Sequence, residues 1–184
     1  MTYSFSFLSE ITGGSLTQLV EDLPIQYLLT DSRKLTINKA AVFFAIRGAH
    51  HDGHLFLQDL YSKGIRQFVV ETRVRIAEFP EANILEVKSS IEALQALAAV
   101  HRTQFDIPIV GITGSNGKTI VKEWLSQLLY PQMKVVKSPK SYNSQIGVPL
   151  SVWQINETHT LGIFEAGISM PGEMANLEKV IQPS

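Results

Sequence analysis

Gly111-Ile112-Thr113-Gly114-Ser115-Asn116-Gly117-Lys118-Thr119 is the stretch that decides the fold class. It follows the apolar run Ile107 to Val110 and precedes Val121, Trp124, Leu125, Leu128 and Leu129, which recur at i, i+3, i+4, i+7 and i+8. The run reads as a strand covered on both faces, as in a parallel sheet. The stripe reads as a helix packed by its apolar side onto that sheet. Strand, glycine-rich loop and helix, in that order, open the nucleotide-binding α/β domains. Small residues let backbone N–H groups turn inward onto phosphate oxygens, the helix adds its positive N-terminus, and Lys118 adds a full charge. The phosphate set is therefore Gly114, Ser115, Asn116, Gly117, Lys118 and Thr119, with the Thr119 hydroxyl offered to Mg²⁺. The spacing departs from G-x-x-x-x-G-K-[ST], because Ile112 stands where the first glycine belongs. A turn that binds nothing is the plain alternative; the strand before it and the helix after it favour a nucleotide.

Working outward, Met133 to Val136 and His159 to Gly167 supply two more strands on the C-terminal side. On the N-terminal side, YLLTDS (27–32), AVFFAIRG (41–48), QFVVE (67–71) and NILEV (83–87) are short apolar runs separated by turns. Residues 52–64 read as a helix, with Leu55, Leu57, Leu60 and Tyr61 on one side and Gly64 as its stop. Ser89 and Glu92 form a capping-box pattern ahead of Ile91, Leu94, Leu97, Ala98 and His101 at helical spacing. Character changes near Phe105 to Pro108. The expectation is an α/β protein: a small mixed α/β N-terminal substrate domain, residues 1–105, then the start of a P-loop parallel-sheet ATPase domain, residues 106–184.

Composition narrows the partners. Of 184 residues, 45% are apolar and 18% charged, the profile of an ordinary globular chain. A formal charge of −1 provides no global field for nucleic acid or an anionic membrane, so any anion site is local. Cysteine is absent, which removes disulfides, thiolate metal sites and cysteine nucleophiles together. No apolar run approaches the ~18 residues that cross a bilayer, and the start carries no signal-peptide pattern. A cytoplasmic protein without membrane insertion is expected.

TGSNGKT, with Gly111 before it, resembles the phosphate loop of the Mur ligases, the ATP-dependent amide-forming enzymes of peptidoglycan synthesis; folylpolyglutamate synthase shares that loop. Three further segments narrow the match. TDSRK (30–34) with AVFFAIRGAHHDGHLFLQDLYSKG resembles the N-terminal domain of the MurE and MurF types, which holds the uridine nucleotide. SYNSQIGVPLS resembles the N-N-x-I-G-x-P segment, and FEAGISMPGEM the E-x-G-x-x-x-x-G-E segment of the MurF type. The resemblance therefore implies the ligase that adds D-Ala-D-Ala to UDP-MurNAc-tripeptide through an acyl phosphate, using ATP and Mg²⁺. It implies that Lys118 and Glu165 are catalytic, that Thr119 and Glu165 hold Mg²⁺, and that Ser32 and Arg33 bind the uridine nucleotide. Asn143 takes a looser role, since Ser144 replaces the second asparagine of its segment. A whole Mur ligase has three domains, so the resemblance makes this chain an inactive fragment, lacking the later metal-binding His, the carbamylated Lys, the adenine contacts and the C-terminal domain. Some relatives carry a fused alanine racemase downstream.

Each residue has a plainer alternative. Glu165 reads equally as a solvated strand end, Arg33 as a surface charge, and Asp31 with Ser32 as a turn. His50, His51 and His54 beside Asp52 invite a metal, but Asp52 as a helix N-cap is the simpler account. Trp124 and Phe56 are expected in the core, and Tyr142 either stacks on a ligand ring or covers the domain. Two rival functions stay open: a MurE-type ligase adding the third stem-peptide residue, and a UDP-sugar-peptide binding module without turnover.

Overall fold

The computed structural model describes residues 2–33, 39–48 and 51–184; Lys34 and His50 lie outside the described residues. Two compact units result, one up to Leu94 and one from Gln95 to Ser184. In the first, β1 (Tyr3–Ser4) leads directly into α1 (Phe5–Thr12), whose Ser4 cap accepts from the Phe7 amide and whose Gly13 stop is left-handed. Then come β2 (Ser15–Gln18), β3 (Pro24–Ile25), β4 (Tyr27–Leu29), β5 (Ala41–Phe44), α2 (Leu57–Ser62), β6 (Gln67–Val70) and β7 (Asn83–Glu86). The five-stranded sheet runs β2-β7-β6-β5-β4, parallel from β7 to β4 and antiparallel at β2, while β1 pairs with β3 separately. Strands β5 and β6 are buried along their whole length, including Gln67, whose amide donates to the carbonyls of Pro24 and Lys39. Phe43, Phe68, Phe79, Leu57, Leu60 and Ile84 fill the core on one face, with the Phe68 and Phe79 rings 6.0 Å apart.

The expected helix over 52–64 is shorter than its apolar spacing implied. Gly53–Phe56 is a 3₁₀ turn, and α2 begins only at Leu57. A three-residue period rotates Leu55 and Phe56 off the core face, leaving them 79% and 41% exposed; Phe56 is not a core residue. Asp52 does cap the turn, its carboxylate accepting from the His54 amide at 3.0 Å.

Helix α3 (Ser90–Arg102) follows, with the Ser89 hydroxyl accepting from the Glu92 amide, and the division between units falls within it. The second unit contains β8 (Ile109–Ile112), α4 (Lys118–Leu129), β9 (Val135–Lys137), α5 (Gly147–Val152), β10 (Leu161–Glu165) and α6 (Glu173–Ile181). Its sheet is parallel throughout in the order β8-β10-β9. Buried Arg102 donates to the carbonyls of Phe105, Ile107, Ile181 and Gln182, binding the end of α3, the entry to β8 and the end of α6 together.

Within these residues β8 is the outer strand of the sheet, with Val110 40% exposed. Only part of the α4 stripe turns inward: Leu125 and Leu129 are half-buried, Val121, Trp124 and Leu128 are 44%, 65% and 74% exposed, and Lys122 and Ser126 are buried, so Trp124 is not a core residue here. The inward row is Lys118, Lys122, Leu125, Ser126 and Leu129, at i, i+4, i+7, i+8 and i+11. Lys122, at the centre of that row, pairs with Glu165 at the end of β10.

Candidate functional site

Crossing from β8 to β10 along a parallel sheet brings the loop 113–117 and the C-terminal end of β10 to the same edge. The loop turns through Gly114 at φ +136° and Gly117 at φ +80°, conformations that side-chain-bearing residues rarely adopt. Gly117 is the N-cap of α4 and has no side chain with which to cap it; the first turn also contains no acidic residue. The start of a twelve-residue helix is thereby left positive and open to an anion. Gly111, by contrast, lies within β8, where an added Cβ would make only ordinary contact with Pro183 at 3.7 Å. The shift of the first glycine away from position 112 reflects a strand that continues through Ile112 before the turn.

Lys118 Nζ donates to the Gly114 carbonyl at 2.6 Å, folded back over the loop. One residue later, Thr119 Oγ1 donates to Glu165 Oε2 at 3.0 Å. Glu165 ends β10 with its side chain fully buried, so the solvated strand end is not what forms. Its backbone amide donates to Ser138 Oγ at 3.0 Å, and Lys122 Nζ stands 2.9 Å from Oε1. The same ammonium also donates to the carbonyls of Ser138 (2.8 Å) and Lys140 (2.5 Å). Glu123 lies 3.2 Å from the same ammonium, and its hydrogen bond with Lys137 is the main influence holding its carboxyl below the usual range.

Asn143 comes to the same corner. Its carbonyl accepts from the Gly167 amide at 2.8 Å, and the Asn143 side chain lies so close that a Cβ at Gly167 would sit 3.1 Å from Asn143 Cγ and oblige it to shift. The Ser144 hydroxyl accepts from the Gly147 amide at 3.1 Å, at the start of α5. Gly147 in turn admits the Tyr142 backbone, which an added Cβ would meet at 2.9 Å. Glu173, at the end of the same acidic segment, turns back to accept from the amides of Ser169 and Met170, which lowers its pKa. Lys122 and Ser138 had no part in the sequence reading. The signal available for Lys122 was its place four residues after Lys118, on the same helical face.

In the first unit, Ser32 and Arg33 follow β4 at its C-terminal end, the edge at which open α/β sheets receive ligands. Arg33 is exposed and forks onto Asp31, with Nε and Nη2 each 2.9 Å from a carboxylate oxygen. Asp31 also accepts from the Arg33 amide, so the turn and the guanidinium are one structure. At the neighbouring end of β5, Asp52 meets Arg47 at 3.1 Å and His54 Nδ1 at 2.6 Å. His54 Nε2 accepts from the Glu71 amide at 2.9 Å, so Nδ1 carries the ring proton and donates to Asp52; both nitrogens are committed to the fold.

The Asp52 carboxyl is lowered to about 2, chiefly by the His54 amide. With an ordinary value of 3.8, its contribution to stability is complete above that pH and is lost as pH falls through about 2. A titration of the Asp52 carboxyl carbon by NMR will find the low midpoint; a midpoint near the ordinary value would show that the cap does not hold in solution.

A glycine loop between a parallel strand and an open helix start, with a buried carboxylate against the loop threonine, defines the phosphate-loop class of α/β nucleotide-binding proteins. Residues 24–102 match the family described as Mur ligase family, catalytic domain, and residues 112–184 the Mur ligase middle domain. The chain belongs to the Mur ligase family. It is 34% identical over 170 residues to the UDP-N-acetylmuramoyl-tripeptide–D-alanyl-D-alanine ligase of Synechocystis, covering 92% of this chain and 37% of that protein. It is 36% identical over 150 residues to the ligase of the same name from Treponema pallidum, covering 77% and 33%. Among solved structures, MurF from Acinetobacter baumannii superposes with a TM-score of 0.88 at 26% identity, over all of this chain and 40% of that one. MurF ligase from Thermotoga maritima in complex with ADP superposes at 0.75 with 30% identity, over 86% and 36%. The chain thus spans little more than a third of the length of these relatives.

Proposed function

We propose that the protein carrying these residues is an ATP-dependent amide ligase of peptidoglycan precursor synthesis, adding D-Ala-D-Ala to UDP-MurNAc-tripeptide in the cytoplasm. The observation that carries the reading is the Thr119–Glu165 contact, which joins the phosphate loop to the acidic segment that distinguishes the MurF type. Residues 1–105 serve as the uridine-nucleotide domain, with Ser32 and Arg33 on the nucleotide. Residues 106–184 form the first part of the ATP-binding domain, with Gly114, Ser115, Asn116, Gly117, Lys118 and Thr119 around the phosphates.

The substrate carboxylate attacks the γ-phosphorus of ATP and ADP leaves; the amine of D-Ala-D-Ala then attacks the acyl phosphate carbonyl, and phosphate leaves. Carboxylate oxygen is a poor leaving group and phosphate a good one, so the protein's work is positioning and neutralising charge. Lys118 exchanges its bond with Gly114 for the β- and γ-phosphate oxygens. The loop amides and the start of α4 hold the remaining charge.

Thr119 and Glu165 fit Mg²⁺: both offer hard oxygens, and Thr119 Oγ1 and Glu165 Oε2 converge to 3.0 Å beside the glycine loop. The metal, when bound, draws charge from the phosphates of ATP. Asn143, against Gly167, steadies the turn beyond Glu165.

The complete protein will release phosphate only when UDP-MurNAc-tripeptide and D-Ala-D-Ala are both present. Release driven instead by L-Lys or meso-diaminopimelate with a dipeptide substrate would replace this reading by the MurE type. Residues 1–184 alone will bind without turnover, and calorimetry with UDP-MurNAc-tripeptide will show saturable binding weakened by Arg33→Ala. An unchanged affinity would remove Arg33 from the nucleotide site.

A further inference from the structure

A lysine side chain with no exposed surface is rare unless its charge is met. Lys122 is such a residue, and the reaction outlined above leaves it without a role. Its ammonium lies between three parts of the second unit: Glu165 at the end of β10, Glu123 on its own helix, and the carbonyls of Ser138 and Lys140 in the connection that follows β9. That connection also supplies Ser138 Oγ to the Glu165 amide and continues to Asn143.

We propose that Lys122 is the positioning residue of the phosphate site: it holds the Glu165 carboxylate against Thr119 and pins the 138–140 backbone beside it, so that the metal-facing oxygens are in place before nucleotide arrives. The inference rests on the nucleotide reading above and adds a residue to it. Stability alone is a weak reason for this arrangement, because a buried ion pair commonly adds no more than well-packed apolar groups of the same volume. Geometry is a stronger one. An ammonium is compact and has three donors, enough to bond two carbonyls while standing at ion-pair distance from a carboxylate. Oε1 is thereby charge-compensated by Lys122, which leaves Oε2, the oxygen that Thr119 meets at 3.0 Å, on the side of the glycine loop. Preorganised oxygens of this kind need no rearrangement when the phosphates bind.

The test is calorimetric titration of the complete protein with ADP, once with Mg²⁺ and once with chelator, for the wild type and Lys122→Met. In the variant, ADP affinity without metal will stay within about twofold of wild type, while the tightening produced by Mg²⁺ will shrink by about 10-fold or more, the usual effect of removing a group that orients a metal ligand. A folded variant that keeps the full Mg²⁺ effect overturns the proposal, even if its melting temperature falls. Wild-type protein that binds no ADP under either condition overturns the nucleotide reading instead, so the two failures are distinct. Should Lys122→Met not fold, the double variant Lys122→Met/Glu165→Gln replaces both charges by neutral groups of similar shape. Recovery of the lost melting temperature establishes the direct pairing, and a double variant no more stable than the single one removes it.

Discussion

Lys118→Ala in the complete protein will lower kcat/KM for ATP by about 10²–10³-fold, the scale for deleting one preorganised charge donor from a phosphoryl-transfer site. The expectation follows from where the side chain lies. Its hydrogen bond goes to the Gly114 carbonyl of its own loop, in a half-buried position at the first turn of α4. Losing that bond changes stability by about 1 kcal/mol at most, so the variant will melt close to wild type while turnover collapses. Phosphate release at saturating substrates reads the first effect and calorimetric unfolding the second. Binding of UDP-MurNAc-tripeptide, which the proposal places in the first unit, will be unaltered. A variant with near-wild-type turnover would show that the loop amides and the helix start suffice, and the catalytic role of Lys118 would be withdrawn.

Glu165→Ala is expected to damage both folding and turnover, for a different reason. It removes the acceptor of Thr119 Oγ1 and leaves the Lys122 ammonium buried with half-exposed Glu123 as its remaining anionic neighbour. Breaking a buried pair from one side costs about 3–5 kcal/mol, enough to lower the melting temperature by more than about 10 °C in a unit of this size. Glu165→Gln keeps the shape and an acceptor oxygen for Thr119, so it will retain more stability than the alanine variant while losing the Mg²⁺-linked part of ADP affinity. Differential scanning calorimetry of the two variants separates these contributions. If Glu165→Ala melts with the wild type, the burial of the pair does not persist in solution. If Glu165→Gln keeps full Mg²⁺ dependence, the carboxylate is not a metal ligand.

The order of elements around the phosphate loop was readable because strand, glycine turn and helix are local patterns. Ile109–Ile112, the turn and Lys118–Leu129 fall where periodicity and glycine placement put them. The strands in 27–32, 41–48, 67–71 and 83–87 were readable for the same reason, being unbroken apolar runs between turns. Helix α1 escaped because its eight residues carry no turn-to-turn apolar stripe long enough to distinguish it from a strand, although Ser4 and Gly13 do mark its ends. Arg33 was legible as a charge after a strand, but its fork onto Asp31 was not: two charges two residues apart meet only if the turn closes between them.

The orientation of α4 shows most directly where local reading stops. Hydrophobic periodicity assigned Val121, Trp124, Leu125, Leu128 and Leu129 to the buried side and said nothing of Lys122. Which ridge faces the sheet depends on what the sheet offers, and here it offers a buried carboxylate 43 residues further along the chain. The amino-acid sequence by itself determined the α/β class, the glycine loop that leads into the helix at Lys118, and the strand that ends at Glu165, because each is written in residues adjacent along the chain. Only the tertiary structure decided that Glu165 is buried, that Thr119 and Lys122 reach it from one side of α4, and that the connection through Ser138 closes over it. Those contacts join residues that a parallel sheet makes neighbours, and a pairing across 43 residues of chain leaves no trace in local periodicity.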